Sequence, residues 1–307
     1  MRLLLMIVSI QAVLPTAAHG EEVLRLQPST KWVLEYADDS CRLSRGFGGG
    51  DERISLVLDQ FVPGEEFKVM LIGPLAQPRT GEVHIEGGFR FGPNEPEAEI
   101  TATAATTDGV PTILVDGHLR VAPLTDAEEA AQKEADRRGI EFIPAPVGEA
   151  REAAATSLEI TKLLRKRMVL DTGPMGEPLA ALRKCAWDTV GHWGLNVEQQ
   201  KALMRRPVVE PSSRPWFRDG DYPGSMIDGG YQGIVNFRLM IDAFGKPTSC
   251  HVQWSSRPKA FDDVVCRGLM RRARFKPALD AQGKPVPSYW GQTVNFRLDS
   301  SRSIRGR

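Results

Sequence analysis

With 307 residues, 41% hydrophobic and 25% charged, the chain sits in the globular range, which excludes disordered and fibrous classes and predicts about two domains. Formal net charge is zero, from 39 basic and 39 acidic residues. About 19 of the basic residues but only about 9 of the acidic ones follow residue 200, so an acidic front half precedes a basic back half. Either the halves attract one another, or the basic half meets an external acidic partner such as a cell-wall or membrane surface.

Met1-Arg2 is a short basic start, and Leu3 to Pro15 is an apolar run broken by Ser9 and Gln11. Small residues Thr16-Ala17-Ala18 precede the acidic pair Glu21-Glu22. This layout predicts a secretory signal peptide over residues 1–20, cleaved after Ala18 or Gly20, and therefore a periplasmic protein. The run is shorter than the roughly 20 apolar residues of a membrane-spanning helix; an uncleaved inner-membrane anchor is the alternative. Export makes disulfides available to Cys41, Cys185, Cys250 and Cys266, in more than one connectivity. Without a Cys-x-x-Cys pair, no zinc ribbon or thioredoxin-type site is expected.

Residues 21–206 read as a β-rich domain with helices. Strand-like runs are Lys31 to Tyr36, Ile54 to Leu58, Phe67 to Ile72, Glu82 to Ile85, Ala98 to Ala104 and Thr112 to Leu119. Gly48-Gly49-Gly50, Pro63-Gly64 and Gly73-Pro74 punctuate them. Thr125 and Glu128 form a capping box that starts a helix ending at Gly139. Ile140 to Gly148 reads as a short strand plus loop. Further helices are expected from Ala150 to Lys166 and from Leu179 to Trp193. Residues 207–220, with several prolines, read as a linker.

Residues 221–299 follow another pattern, and 300–307 form a tail. Gly233 to Asp242 alternates, with Val235, Phe237, Leu239 and Ile241 on one face. A second strand runs from Thr248 to Ser255, placing Thr248, Cys250, Val252 and Trp254 together. Pro258 opens a helix to Ala273 that buries Phe261, Val265 and Leu269. Its acidic start at Asp262-Asp263 and basic end at Arg271, Arg272 and Arg274 match the helix dipole. Ser288 to Leu298 is the last strand. The fold class is α+β, a β-rich domain followed by a small β-β-α-β domain.

Tyr222-Pro223, Gly233-Ile234-Val235, Asp242 with Gly245-Lys246-Pro247, Ser255-Ser256, Arg274-Phe275-Lys276-Pro277 and Val294-Asn295-Phe296 occur in that order. This series resembles the TonB C-terminal domain family. The resemblance implies a non-enzymatic domain that binds a protein partner, such as an outer-membrane TonB-dependent receptor, by strand addition. The receiving edge would be Thr293, Val294, Asn295, Phe296, Arg297 and Leu298. On this fold Cys250 and Cys266 lie where a bridge staples helix to sheet, and Cys41 is then left to pair with Cys185. More loosely, Asp39 to Leu43, Arg45, Phe47-Gly48, Cys185 and Trp193 to Leu195 resemble the front regions of some exported proteins with this domain. An energy transducer of the family has a retained anchor and a long spacer. Here a folded acidic domain takes the spacer's place, so a soluble binder or scaffold is expected, with the anchored transducer as the alternative.

Enzyme motifs are weak. Asp171-Thr172-Gly173 resembles an aspartic-protease triplet, but that chemistry needs two such aspartates and there is one copy. His84, His118, His192 and His251 lack metal-ligand spacing, and Ser225 lacks a G-x-S-x-G elbow. Gly48 to Gly50 is not followed by Lys-Ser/Thr, so it is no P-loop. The basic cluster around Arg271 has only Phe275 for base stacking, so no nucleic-acid partner is expected. No cofactor or metal is expected either.

Overall fold

The computed structural model describes residues 23–298, apart from Arg257 and the side chain of Asp219. The expected signal peptide 1–20 and tail 300–307 lie outside the described residues. Ten strands build the front sheet: β1 (Val23–Leu26), β2 (Val33–Tyr36), β3 (Cys41–Gly49), β4 (Glu52–Gln60), β5 (Lys68–Ile72), β6 (His84–Phe91), β7 (Ala98–Thr107), β8 (Val110–Val115), β9 (Leu158–Thr161) and β10 (Arg167–Leu170). Their order is β1-β10-β9-β6-β7-β8-β5-β4-β3-β2. The residues after β1 turn back onto β3: Gly48 N–H donates to Gln27 O at 3.0 Å and Ser29 N–H to Gly46 O at 2.8 Å. The chain from β1 to β2 thus joins β10 to β3 and closes the sheet into a barrel, which removes its edges.

Alternation assigns the two barrel faces. Leu56, Leu58, Val69, Leu71, Ile113 and Val115 fill the interior. Their neighbours Val57, Met70 and Leu114 point out, yet they are also buried. The front helices are α1 (Asp126–Arg138), α2 (Glu149–Ala154), α3 (Gly176–His192) and α4 (Val197–Lys201). The expected Thr125–Glu128 capping box is present on α1, with Gly139 as its left-handed cap. α3 sets Leu179, Leu182, Cys185 and Ala186 into the barrel core, and Cys185 is bonded to Cys41 of β3.

The helix expected over 150–166 stops at Ala154. Leu158 to Thr161 instead form β9, hydrogen-bonded between β6 and β10. The Ala/Glu/Arg-rich start carried the helical reading past its true end. Residues 140–148 form no strand.

The second unit comprises α5 (Gly224–Asp228), β12 (Gly233–Ile241), β13 (Pro247–Ser255), α6 (Ala260–Arg272) and β17 (Ser288–Phe296), with sheet order β13-β12-β17. Short strands β11 (Val208–Val209), β14 (Phe275–Lys276), β15 (Ala278–Leu279) and β16 (Pro285–Val286) flank it. Phe261, Val265 and Leu269 of α6 pack on Val235, Phe237 and Leu239, and Cys250–Cys266 bonds β13 to α6.

Two sequence expectations change here. Segment 207–220 is built into this unit: β11 pairs with β14, and Trp216 lies 5.3 Å from the Trp290 ring. Its prolines signal turns, but the aromatic pair Trp216-Phe217 that follows Pro215 seeks the core. Trp254 does not share a face with Cys250 and Val252. Asn236 pairs with Trp254 but Phe237 pairs with Val252, so a β-bulge turns Trp254 over. Trp254 and Ile234 then pack on Val57, Met70 and Leu114. The barrel's outer wall covers the sheet face opposite α6.

Candidate binding edge

β17 is the outer strand of its sheet, and β12 is its neighbour. Ile234 exchanges bonds with Ser256: its N–H donates to Ser256 Oγ at 2.8 Å, and its carbonyl accepts from Ser256 N–H at 2.9 Å. The main-chain groups of Ile234 therefore face β13. Alternation turns those of Val235 and Phe237 toward their β17 partners, Val294 and Gln292. The main-chain groups of Gly291, Thr293 and Asn295 then project from the open edge. Thr293 N–H is met by the Gln292 side-chain oxygen at 3.2 Å, a local cover that a partner strand could displace.

Of the six edge residues read from sequence, Val294 and Phe296 point into the α6 core. Thr293 Oγ1 donates to Asn236 Oδ1 beneath the strand. Asn295 Nδ2 donates to Asp116 O at 3.3 Å, and Arg297 pairs with the Asp116 carboxylate. Leu298 N–H donates to Gln232 Oε1 at 3.1 Å, and that oxygen lies 3.0 Å from His84 Nε2. A Cβ on Gly291 would come within 2.5 Å of Val62 Cγ1, so the strand lies tight on the barrel. The far edge is tied down as well: Gln253 Nε2 donates to Asp39 O at 2.7 Å and Phe61 O at 2.8 Å.

Asp116 follows β8 directly, is 4% exposed and also accepts from Thr103 Oγ1 at 2.8 Å. It pins the end of β17. Asp116→Asn removes the charge that holds Arg297, so the bonded amides of Phe296 and Leu298 should exchange hydrogen faster by about tenfold, the effect of roughly 1–2 kcal/mol. Exchange at Val294 and earlier should stay unchanged.

The family-motif residues build the scaffold. Tyr222 Oη donates to Tyr231 O at 2.6 Å, and its ring meets Phe261 and Phe296 edge-on. Pro223 precedes α5, and Gly233 opens β12 opposite Phe296. Asp242 Oδ1 accepts from Phe244 and Lys246 N–H, both at 2.9 Å, closing the hairpin. Gly245 has φ +79°, and a Cβ there would strike the Phe275 carbonyl oxygen. Phe275 is buried against Trp216 and Trp290, Arg274 O accepts from Glu210 N–H, and Pro277 O accepts from Arg205. Asp280 repeats the Asp242 turn, accepting from Gln282 and Lys284 N–H.

Residues that sequence reasoning missed join the two units. Arg238 lies 4.2 Å over the Trp193 ring and 3.8 Å from Asp39, and burial holds its pKa below the usual guanidinium value against that aspartate. Tyr289 meets Trp193 edge-on, and burial pushes its hydroxyl up to about 12. His251 Nε2 lies 2.7 Å from Asp39 Oδ2. With Arg297–Asp116, these contacts set basic residues of the back half on acidic residues of the front half. Partners such as Asp39 and Arg238 lie far apart in sequence, so no local spacing signals them.

The enzyme-type motifs stay apart. Asp171 is held by Arg25 at 2.5 and 2.9 Å and by Gln27, an ion pair in place of a shared-proton dyad. Among the described residues, no three His, Cys, Asp or Glu side chains cluster as a metal site would require. None of the described helices is long and apolar enough to cross a membrane.

The second unit is thus a small β-β-α-β domain with one sheet face under a helix and the other on a barrel. Residues 220–298 match the family model of the Gram-negative bacterial TonB protein C-terminal, so this unit is a TonB C-terminal domain. That places it with non-enzymatic, protein-interacting domains of the Gram-negative envelope. No curated protein and no solved structure matches the chain.

Proposed function

We propose that this is a periplasmic, non-enzymatic protein that captures an extended segment of a protein partner by strand addition at β17, in TonB-dependent transport or envelope scaffolding. The observation that carries the reading is the open β17 edge, with the main-chain groups of Gly291, Thr293 and Asn295 turned outward. An outer-membrane TonB-dependent receptor is the partner class in view. Asn295→Pro deletes one outward N–H and leaves the β12 ladder intact. A labelled peptide from a receptor's periplasmic N-terminus should bind the parent protein and lose about tenfold or more in affinity with the variant. Equal binding at equal thermal stability would sink strand addition at this edge.

The second reading is an energy transducer with a retained anchor. The docking of Ile234 and Trp254 on the barrel argues for the soluble scaffold, because it holds the domain on a folded body instead of a spacer. N-terminal sequencing with fractionation decides between them. A soluble protein starting near residue 19 or 21 rules out the transducer.

A further inference from the structure

A strand captured at β17 would not hang in solvent. The sheet rests on the barrel wall over β4, β5 and β8, where Ile234 and Trp254 meet Val57, Met70 and Leu114. In that wall β8 is followed by β7 and then β6. Contacts at the end of β17 follow the same direction: Arg297 reaches Asp116 after β8, and Gln232 beside Leu298 reaches His84 of β6. β17 therefore crosses the wall from Val62 after β4, which Gly291 meets, toward β7 and β6, and its free edge reaches them at the Arg297 end. Where an added strand passes Arg297 it lies over that floor, with every second side chain there pointing down into it.

The floor is acidic. Ile85, Ile100 and Ala102 take the barrel interior. Alternation leaves Glu86, opposite Thr101, and Glu99, opposite Gly88, facing out. Both line a groove that also holds Glu82 and Glu97 and reaches Arg297. Its cations are Arg79, Lys162 and Arg297, and the last is committed to Asp116. All four glutamates are exposed, so a carboxylate excess stands beside the receiving edge.

We propose that the strand captured at β17 carries Lys or Arg at the barrel-facing positions of the end that passes Arg297, so that the front domain supplies the specificity for what the TonB C-terminal domain holds. This rests on β17 being the receiving edge. The edge supplies main-chain bonds that any sequence can make, and the floor sorts sequences by charge. Acidic segments are repelled by the same floor.

Three labelled peptides with valine at every second position, and Lys, Ser or Glu between, test this by fluorescence anisotropy on the full chain. The Lys peptide should bind about tenfold tighter than the Ser peptide, and the Glu peptide weakest. The preference should collapse in the Glu86→Gln/Glu99→Gln variant and at about 0.5 M salt. Asn295→Pro should weaken all three peptides. Equal binding of the three, lost in Asn295→Pro, overturns the basic preference and leaves the receiving edge standing. A Lys preference that survives Asn295→Pro means the groove binds cations without strand addition and overturns both ideas. Failure of all three peptides to bind also overturns both.

Discussion

Reducing the Cys41–Cys185 bridge should lower the thermal midpoint far more than losing Cys250–Cys266. The two bridges close loops of very different length, with sequence separations of 144 and 16. In the chain-entropy model the long loop contributes about 5 kcal/mol and the short one about 3 kcal/mol. The long bridge also joins α3 to β3, and α3 closes one side of the barrel core with Leu179, Leu182 and Ala186. Cys185→Ser should therefore drop the midpoint by roughly 10–20 °C. Cys250→Ser should act on the second unit, whose core of Phe237, Phe261 and Phe296 survives reduction. Thermal unfolding of the two single variants, followed by near-ultraviolet circular dichroism, separates them. Equal midpoint losses would show that the long loop is already constrained in the unfolded chain.

The C-terminal unit was legible because its signals are local. The Val235–Ile241 alternation, the α6 stripe and the Asp242–Gly245 turn each sit within a few residues of chain. The α+β class, with its β-rich front, was legible for the same reason, since short β-branched runs and turn residues mark most strands. Besides β9 and segment 207–220, three things were not. β3 was missed because Gly48-Gly49-Gly50 read as punctuation, whereas the strand pairs with β4 through Gly48 and Gly49. Trp254 was put on the wrong face because strict alternation cannot register a bulge. The interface was invisible because nothing in Val57, Met70 and Leu114 marks them as covered from outside. The one hint is that β4 and β5 are apolar almost throughout, the pattern of strands buried on both faces. The motif residues were legible as a family signature but not as parts. Tyr222, Gly245 and Phe275 hold turns and core together, and side chains that flank the β17 edge come from the barrel.

Replacing Lys68 with Met should stabilise the protein at neutral pH, and the gain should vanish as the solution becomes alkaline. Lys68 is fully buried at the join of the two units. Its Nζ donates to Val115 O at 3.0 Å and lies 5.6 Å from the Trp254 ring centre. Asp116 and Asp59 favour its charge, but Asp59 is already gripped by Arg42 and Asp116 by Arg297 and Thr103. Burial dominates and lowers the ammonium pKa from 10.5 to about 8. Between those values the unfolded chain binds a proton that the folded chain has lost, so this lysine makes stability rise with pH across that window. Below about 8 both states are protonated and the full cost, about 3 kcal/mol, is present. Met is apolar and similar in length, so it can fill the site without that charge. Denaturant midpoints of the two proteins from pH 7 to 10.5 measure the difference directly, and tyrosines and other lysines cancel in it. The variant's advantage should be largest at pH 7 and close to zero near 10.5. A constant difference would mean that Lys68 does not lose its proton in that range. A destabilised variant at pH 7 would mean that Trp254 and the two carboxylates more than offset the burial, and that the charge itself holds the TonB C-terminal domain on the barrel.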